Sequence, residues 1–161
     1  MIVVADTSPL NYMVLIGAVD VLESLFSRVF VPQTVATELT APQAPAEVRA
    51  WIAEPPAWLD IQPDPPLDGT LDALDPGERA AIALAVSFHA SRLLIDDFDG
   101  RVAAERRRIR VTGTLGILAA AHRGELLNFD EAVNRLSNTT FYLSPQLLAA
   151  TRKLLSIPRK E

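Results

Sequence analysis

The chain has 161 residues, no cysteine and a net charge of −5, and 49% of its residues are hydrophobic. This length fits one domain with a core of its own, which we place at residues 1–161. The absence of cysteine excludes disulfides, thiolate zinc sites and a cysteine nucleophile, and the negative net charge excludes long-range attraction of nucleic acid by the chain as a whole.

The first residues predict no targeting segment. Residues 1–6 contain no basic stretch and reach an acid at Asp6, so they are not typical of a signal peptide. No apolar run approaches the roughly 20 residues that a membrane span requires. We therefore expect a cytoplasmic protein with no membrane partner.

Short apolar runs alternate with stretches of helical spacing along the first 40 residues. In order, they predict a strand at 2–5, helices at 9–15 and 19–26, a strand at 29–31 and a helix at 33–39. The first strand is a continuous run of mostly β-branched residues, typical of a central strand buried on both faces. Ser8 is expected to cap the first helix, because Pro9 fits its first position.

Prolines dominate residues 42–76, which hold eight of the twelve in the chain. One amphipathic helix at 47–53 interrupts this stretch, with Trp51 on its apolar side. We expect the rest to be a connection on the surface, because proline is typical of turns and loops.

The second half of the chain continues the alternation of strands and helices. It predicts helices at 75–90, 98–107, 114–122, 126–136 and 145–155, strands at 93–95 and 110–112, and a short edge strand at 141–143. Strands that alternate with helices imply a parallel sheet with helices on both faces. We therefore predict an α/β fold of the Rossmann-like, three-layer α/β/α type, with four to five parallel strands.

Acidic side chains come from four segments of this predicted sheet. Asp6 ends the first strand, and Asp96 and Asp97 end the strand at 93–95. Glu38 lies in the helix after the second strand, and Glu78 lies in the first turn of the helix before the strand at 93–95. Because ligands bind at the C-terminal ends of parallel strands, we expect these carboxylates to meet at one edge.

Each acid also has a purely structural explanation. Asp6 can cap the helix that follows it, and Asp75 with Glu78 resembles a capping box. Glu38 can be an ordinary exposed helix residue. Asp97 and Asp99 can be loop acids that pair with a neighbouring arginine.

The joint placement of the acids favours a metal site over these separate explanations. Clustered carboxylates raise one another's pKa unless a cation neutralises them, and hard oxygen ligands favour Mg²⁺ or Mn²⁺. The candidate metal ligands are Asp6, Glu38, Glu78, Asp96, Asp97 and Asp99. Thr7 and Thr112, at neighbouring strand ends, can position a water or a phosphate, and turn chemistry explains them equally well.

Basic residues crowd the same part of the chain. The arginines are Arg92, Arg101, Arg106, Arg107, Arg108 and Arg110. Arginines beside clustered acids suit a metal-dependent enzyme that acts on a phosphodiester. The alternative for the arginines alone is a solvated helix face with salt bridges.

Five segments, in this order, resemble the motifs of PIN-domain proteins. They are 3–10 with Asp6, 31–39 with Glu38, 76–85 with Glu78, 94–101 with the doubled acid at 96 and 97, and 109–118. The last segment is similar to one in a PIN-like subfamily related to VapC toxins. The resemblance covers nearly the whole chain.

The resemblance implies a function and a set of partners. It implies a Mg²⁺ or Mn²⁺ site, cleavage of single-stranded RNA, a homodimer, and a role as the toxin of a toxin–antitoxin pair with an antitoxin that reaches into the active site. Carried over by motif, the catalytic acids are Asp6, Glu38, Glu78 and Asp97, and Asp96 and Asp99 compete with Asp97. Many members of the family have aspartate where this chain has Glu78.

We expect Arg101, Arg106 and Arg107 to contact the RNA. Three other classes with acids or glycines at strand ends fit poorly. A receiver domain needs paired acids after the first strand, a dehalogenase-type phosphatase needs an acid where Ser8 stands, and a dinucleotide-binding module needs a glycine-rich motif that is missing. The open alternative is a PIN-like domain that no longer cleaves and acts as a binding module.

Overall fold

The computed structural model describes residues 1–67 and 69–158. Residues 68 and 159–161 of the predicted domain lie outside the described residues. The strands are β1 (Val3–Ala5), β2 (Val29–Pro32), β3 (Leu59–Gln62), β4 (Arg92–Leu94) and β5 (Val111–Thr112). They form a parallel sheet in the order β3-β2-β1-β4-β5, which confirms the predicted sheet.

Helices make up most of the rest of the described chain. They are α1 (Thr7–Leu15), α2 (Val21–Phe26), α3 (Gln33–Thr40), α4 (Ala46–Ala53), α5 (Pro76–Ser87), α6 (Phe98–Arg106), α7 (Thr114–Arg123), α8 (Phe129–Ser137) and α9 (Pro145–Leu155). A 3₁₀ turn spans Gly69–Leu71. Within the described residues, no helix combines the length and apolarity needed to cross a membrane.

The core lies around the central strand. All three residues of β1 are fully buried, as expected for an apolar strand covered on both faces. Helix α1 packs against α4 and α7, whereas α5 packs against α6 and against β1, β2 and β4. Because crossovers between parallel strands are right-handed, and the chain runs outward from β1 in both directions, these two groups of helices cover opposite faces.

The proline-rich stretch contains a strand that we predicted as surface connection. Strand β3 pairs with β2 along its whole length, from Val29 opposite Leu59 to Pro32 opposite Gln62. Leu59 is buried. The prediction was wrong because a four-residue edge strand obtains its order from its neighbour rather than from its own sequence.

The predicted edge strand at 141–143 is not a strand. The Phe141 ring packs edge-on against Tyr12, with ring centroids 5.0 Å apart. The Tyr12 hydroxyl lies 2.9 Å from the hydroxyl of Thr140. Aromatic and polar side chains therefore hold this segment on α1 without a backbone ladder.

Candidate active site

Two acids meet where the order of the strands reverses. Strand β1 lies between β2 and β4, and such a switch point opens a crevice for ligands at the C-terminal ends of the strands. Asp6 directly follows β1, and its backbone N–H donates to the carbonyl of Leu94 at 2.9 Å. Asp96 lies two residues after the end of the neighbouring strand β4, so it reaches the same crevice.

Asp6 is the most enclosed acid of the site. Its side chain is 4% exposed, and its Oδ1 has no hydrogen-bond partner among the described residues. It occupies the N-cap position of α1, but its side chain makes no capping hydrogen bond. The explanation of Asp6 as a helix cap is therefore wrong, and a buried acceptor atom is left facing the crevice.

The surroundings of Asp6 disfavour its charge. Burial raises the pKa of Asp6 from 3.8 to about 7. The backbone N–H of Thr7 lowers this pKa, while the carboxylates of Glu78, Glu38 and Asp96 raise it further. Three predicted ligands from three other segments thus lie close enough to Asp6 to repel its negative charge.

Glu38 reaches the site from α3 and is held there by two donors. The Thr7 hydroxyl donates to Oε2 of Glu38, and the backbone N–H of Gly77 donates to Oε1 at 2.9 Å. A Cβ atom on Gly77 would lie 2.3 Å from Oε2 of Glu38. Glu38 is therefore not an ordinary exposed helix residue, and its position requires glycine at 77.

Glu78 faces the same crevice from the first turn of α5. Burial raises its pKa from 4.5 to about 7, and the carboxylates of Asp97, Asp75 and Glu38 add to the rise. A hydrogen bond from the backbone N–H of Asp75 lowers it. This bond is half of the predicted capping box, but the Asp75 side chain makes no capping bond in return, so capping alone does not explain Glu78.

Asp96 is the most firmly positioned acid. Ser8 Oγ and Thr114 Oγ1 both donate to its Oδ2 at 2.7 Å. The backbone N–H of Thr114 donates to its Oδ1, also at 2.7 Å. Ser8 is therefore not the predicted cap of α1, which begins at Thr7.

We did not predict a role in the site for Ser8 or for Thr114. Both hydroxyls stand at the start of a helix next to a strand end, α1 after β1 and α7 after β5. That placement was visible in the sequence, and it also marks many ordinary helix caps. Only the fold shows that both hydroxyls turn towards Asp96.

The remaining acids of the doubled motif have other surroundings. Asp97 is the N-cap of α6 and accepts the backbone N–H of Gly100 at 3.2 Å. It still lies close enough to Glu78 to raise the pKa of that acid. Asp99 is exposed and is not among the acids that perturb Asp6 or Glu78. The structure therefore brings Asp97 to the rim of the cluster and leaves Asp99 outside it.

The predicted threonines and arginines are dispersed. Thr7 contacts Glu38, as described, while the Thr112 hydroxyl accepts a hydrogen bond from Arg92. Arg107 donates to the carbonyl of Ala103 and to the hydroxyl of Thr70. Arg106 is exposed at the end of α6.

The chemistry of the acids fits a hard divalent cation. All are oxygen donors, which Mg²⁺ and Mn²⁺ prefer. The unpaired Oδ1 of Asp6 and the raised pKa values of Asp6 and Glu78 are what a cation at this place would relieve. Within the described residues, no three acids are gathered closely enough to hold an ion as they stand, so binding requires their side chains to draw together.

The sequence itself matches a known family. The sequence profile of the PIN domain matches residues 2–156. The chain belongs to the PIN-domain family. No curated protein matches this PIN domain. PIN domains are generally nucleases and typically use divalent metal ions, so the family supports a nuclease-type hydrolase.

Proposed function

We propose that this PIN domain is a Mg²⁺- or Mn²⁺-dependent endoribonuclease that hydrolyses single-stranded RNA. The observation that carries the proposal is the environment of Asp6. Asp6 is 4% exposed, one oxygen of its carboxylate has no partner among the described residues, and three other carboxylates repel its charge. Such a cluster is costly without a cation, and a purely structural role does not account for it.

Asp6, Glu38, Glu78 and Asp96 are the residues that hold the metal in this proposal. We favour Asp96 over Asp97 as the ligand after β4, because Asp96 is near Asp6 whereas Asp97 caps α6. A bound divalent ion lowers the pKa of water and stabilises charge on the leaving oxygen.

The neighbouring residues orient these acids. Thr7 and the backbone of Gly77 fix Glu38, and Ser8 and Thr114 fix Asp96. Helix α1 thus supplies two hydroxyl groups, one from Thr7 to Glu38 and one from Ser8 to Asp96. Burial and neighbouring carboxylates raise the pKa values of Asp6 and Glu78 to about 7, so we expect a cation that binds there to release protons near neutral pH.

The test is cleavage of a labelled single-stranded RNA with Mg²⁺, with Mn²⁺ or with EDTA. We expect the wild-type protein to cleave only with metal. Asp6→Asn keeps the shape of the side chain but removes its charge, and we expect it to reduce the rate by about 100-fold or more, roughly 2.7 kcal/mol of transition-state stabilisation. Calorimetry with Mn²⁺ alone gives a second readout that does not depend on the substrate.

Asp20→Asn is the matched control. Asp20 is exposed at the start of α2, and its side chain makes no capping hydrogen bond, so the same chemical change should leave cleavage and Mn²⁺ binding intact. If the wild-type protein neither cleaves RNA nor binds Mn²⁺, the proposal fails and the catalytically silent binding module is the better description.

Three finer expectations of the resemblance stay predictions. They are the role as a toxin, the antitoxin that inhibits it and the homodimer. Each concerns a partner chain, and the acids described above do not depend on any of them.

A further inference from the structure

A shallow groove lined by arginines runs beside the β5 edge of the sheet. Its volume is about 470 Å³, within the roughly 300–1,000 Å³ of typical ligand clefts. Side chains from the β4 and β5 strands, from α6 and from the turn between α6 and β5 line it. We call it the arginine groove, and its charged lining residues are Arg92, Arg101, Arg108, Arg110 and Glu105.

The groove concentrates positive charge on an acidic protein. Four arginines and a single glutamate line it, although the chain carries a net charge of −5. In the described part of the chain, the ion pairs involve Arg28, Arg79 and Arg152 and none of the groove arginines. A patch that the protein does not neutralise itself is a ready site for an anionic ligand.

Arg101 connects the groove to the acids. Asp96 Oδ1 and Arg101 Nη1 lie 3.0 and 3.5 Å from the position that a Cβ atom would take on Gly113. The two groups therefore both lie close to this glycine, without an ion pair between them. An anion held in the groove next to Arg101 is adjacent to the proposed metal ligand Asp96.

We propose that the arginine groove binds the phosphate backbone of the single-stranded nucleic acid and leads it to the acids. This inference rests on the proposed function and specifies how the substrate approaches. Arginine suits the task because its planar group donates two parallel hydrogen bonds to a phosphate. Of the three arginines predicted to contact RNA, Arg101 lines the groove, whereas Arg106 and Arg107 do not. Arg92, Arg108 and Arg110 also line it.

The experiment measures binding separately from cleavage. A fluorescein-labelled 12-nucleotide uridine RNA is titrated with protein in EDTA, and anisotropy gives the dissociation constant at several salt concentrations. The double variant Arg108→Gln/Arg110→Gln removes two charges remote from the acids. We expect a loss of affinity of about tenfold or more, and a salt dependence flatter by about 1.4 in the log–log slope, since each phosphate contact to a single strand contributes about 0.7.

Arg49→Gln/Lys153→Gln is the matched control, because both residues are exposed and lie outside the groove. It changes the net charge equally, and we expect less than about a twofold effect on affinity at physiological salt, where exposed charges are screened beyond roughly 8 Å. Glu105→Gln removes the acid of the groove and should strengthen binding about twofold to fivefold, as expected for the loss of one exposed repulsion. A structural role of Glu105 does not predict tighter binding.

Thermal denaturation checks that each variant is folded. Arg110→Glu serves as a second test if the double variant is unfolded, and it should weaken binding at least as much as Arg110→Gln. The same titration with a DNA 12-mer shows whether the sugar matters, and a parallel loss for DNA and RNA supports recognition of the backbone.

The proposal is overturned if the wild type binds neither strand, or if the groove variants bind RNA as tightly as the control. Tighter binding of a poly-glutamate peptide than of RNA also overturns it and assigns the groove to an acidic protein partner. Arginine-dependent binding without metal-dependent cleavage supports the groove and contradicts the nuclease. Metal-dependent cleavage by the wild type, together with unchanged RNA binding by the groove variants, supports the nuclease and contradicts the groove.

Discussion

At the scale of single residues, the buried charge of Asp6 links stability to pH. The pKa of Asp6 is raised in the folded protein to about 7 from 3.8, so the folded state binds its proton more tightly than the unfolded state does. In the absence of metal, we expect the free energy of unfolding to fall as the pH rises from about 4 to 7. The full effect is on the order of 4 kcal/mol, since one pKa unit corresponds to about 1.4 kcal/mol.

Asp6→Asn isolates this effect. The variant should denature several degrees higher than the wild type at pH 8 in EDTA, and the difference should shrink towards pH 4.5, because Asp6 of the folded protein is then protonated and no longer carries a buried charge. Asp20→Asn should follow the wild type at every pH. If the denaturation temperatures of Asp6→Asn and the wild type depended equally on pH, ionisation of Asp6 would not destabilise the folded state.

Gly77 is the second residue whose local geometry makes a test. In Gly77→Ala, the new Cβ would overlap the carboxylate of Glu38, which lies 2.3 Å away. Glu38 must move, and it then loses the N–H of Gly77 as a donor. We expect RNA cleavage to fall by about tenfold or more, roughly 1.4 kcal/mol, together with weaker Mn²⁺ binding in calorimetry.

Gly124→Ala is the control for this substitution. Its Cβ would lie 3.5 Å or more from its neighbours, an ordinary contact distance, and Gly124 is remote in sequence from all four acids. Normal cleavage by Gly77→Ala would mean that Glu38 does not need its present position.

At the scale of elements, Asp97 shows how one residue can serve a helix and border a site. It caps α6 through the backbone N–H of Gly100. We expect Asp97→Ala to destabilise the protein by about 1 kcal/mol, measured by chemical denaturation, and Asp97→Ser to restore most of that loss because serine also caps helices. In cleavage assays, Asp97→Ser should retain much more activity than Asp96→Asn.

The opposite order of activities would identify Asp97 as the principal ligand after β4 and would make its capping bond incidental. Asp99→Asn belongs in the same series. Asp99 is exposed and outside the cluster, so we expect normal cleavage by this variant, and a loss of cleavage would contradict that assignment.

The elements also show which features a sequence can predict. The apolar run of β1 and the helical spacing of α5 are local properties, and both elements were placed within a few residues of their bounds. Strand β3 depends on pairing with β2, which no window of its own sequence contains. The segment at 141–143 has strand-like residues, but its rings pack on α1 instead.

The same distinction applies to the site. Strand order and the position of acids at strand ends were enough to predict that Asp6, Glu38, Glu78 and the doubled acid at 96 and 97 approach one another, although the family motif favoured Asp97 where the structure places Asp96 near Asp6. The choice between Asp96 and Asp97 was not predictable, because it depends on which of them faces Ser8 and Thr114. The arginines that share a groove were not predictable either, since the turn at Arg108 has a positive φ of 62° and redirects the chain between α6 and β5.

At the scale of the whole molecule, negative and positive side chains are concentrated in two separate regions. The carboxylates of Asp6, Glu38, Glu78 and Asp96 approach one another at the switch point, and four arginines line a groove beside it. A cation at the acids and a phosphate chain in the groove each neutralise one of these regions. We therefore expect metal and RNA to stabilise each other's binding. A cation reduces the repulsion between the acids and the phosphates of the RNA, and the RNA reduces the repulsion between the arginines and the cation.

The central position of β1 in the sheet has a consequence for folding during translation. Asp6 is made well before its partners in the site, because β4, Asp96 and the buttressing Thr114 follow more than half a chain later. Translation adds roughly 5–20 residues per second, so β4 is synthesised several seconds after β1. A polypeptide that ends before β4 lacks Asp96, so the proposed RNA cleavage cannot begin until most of this domain has been synthesised.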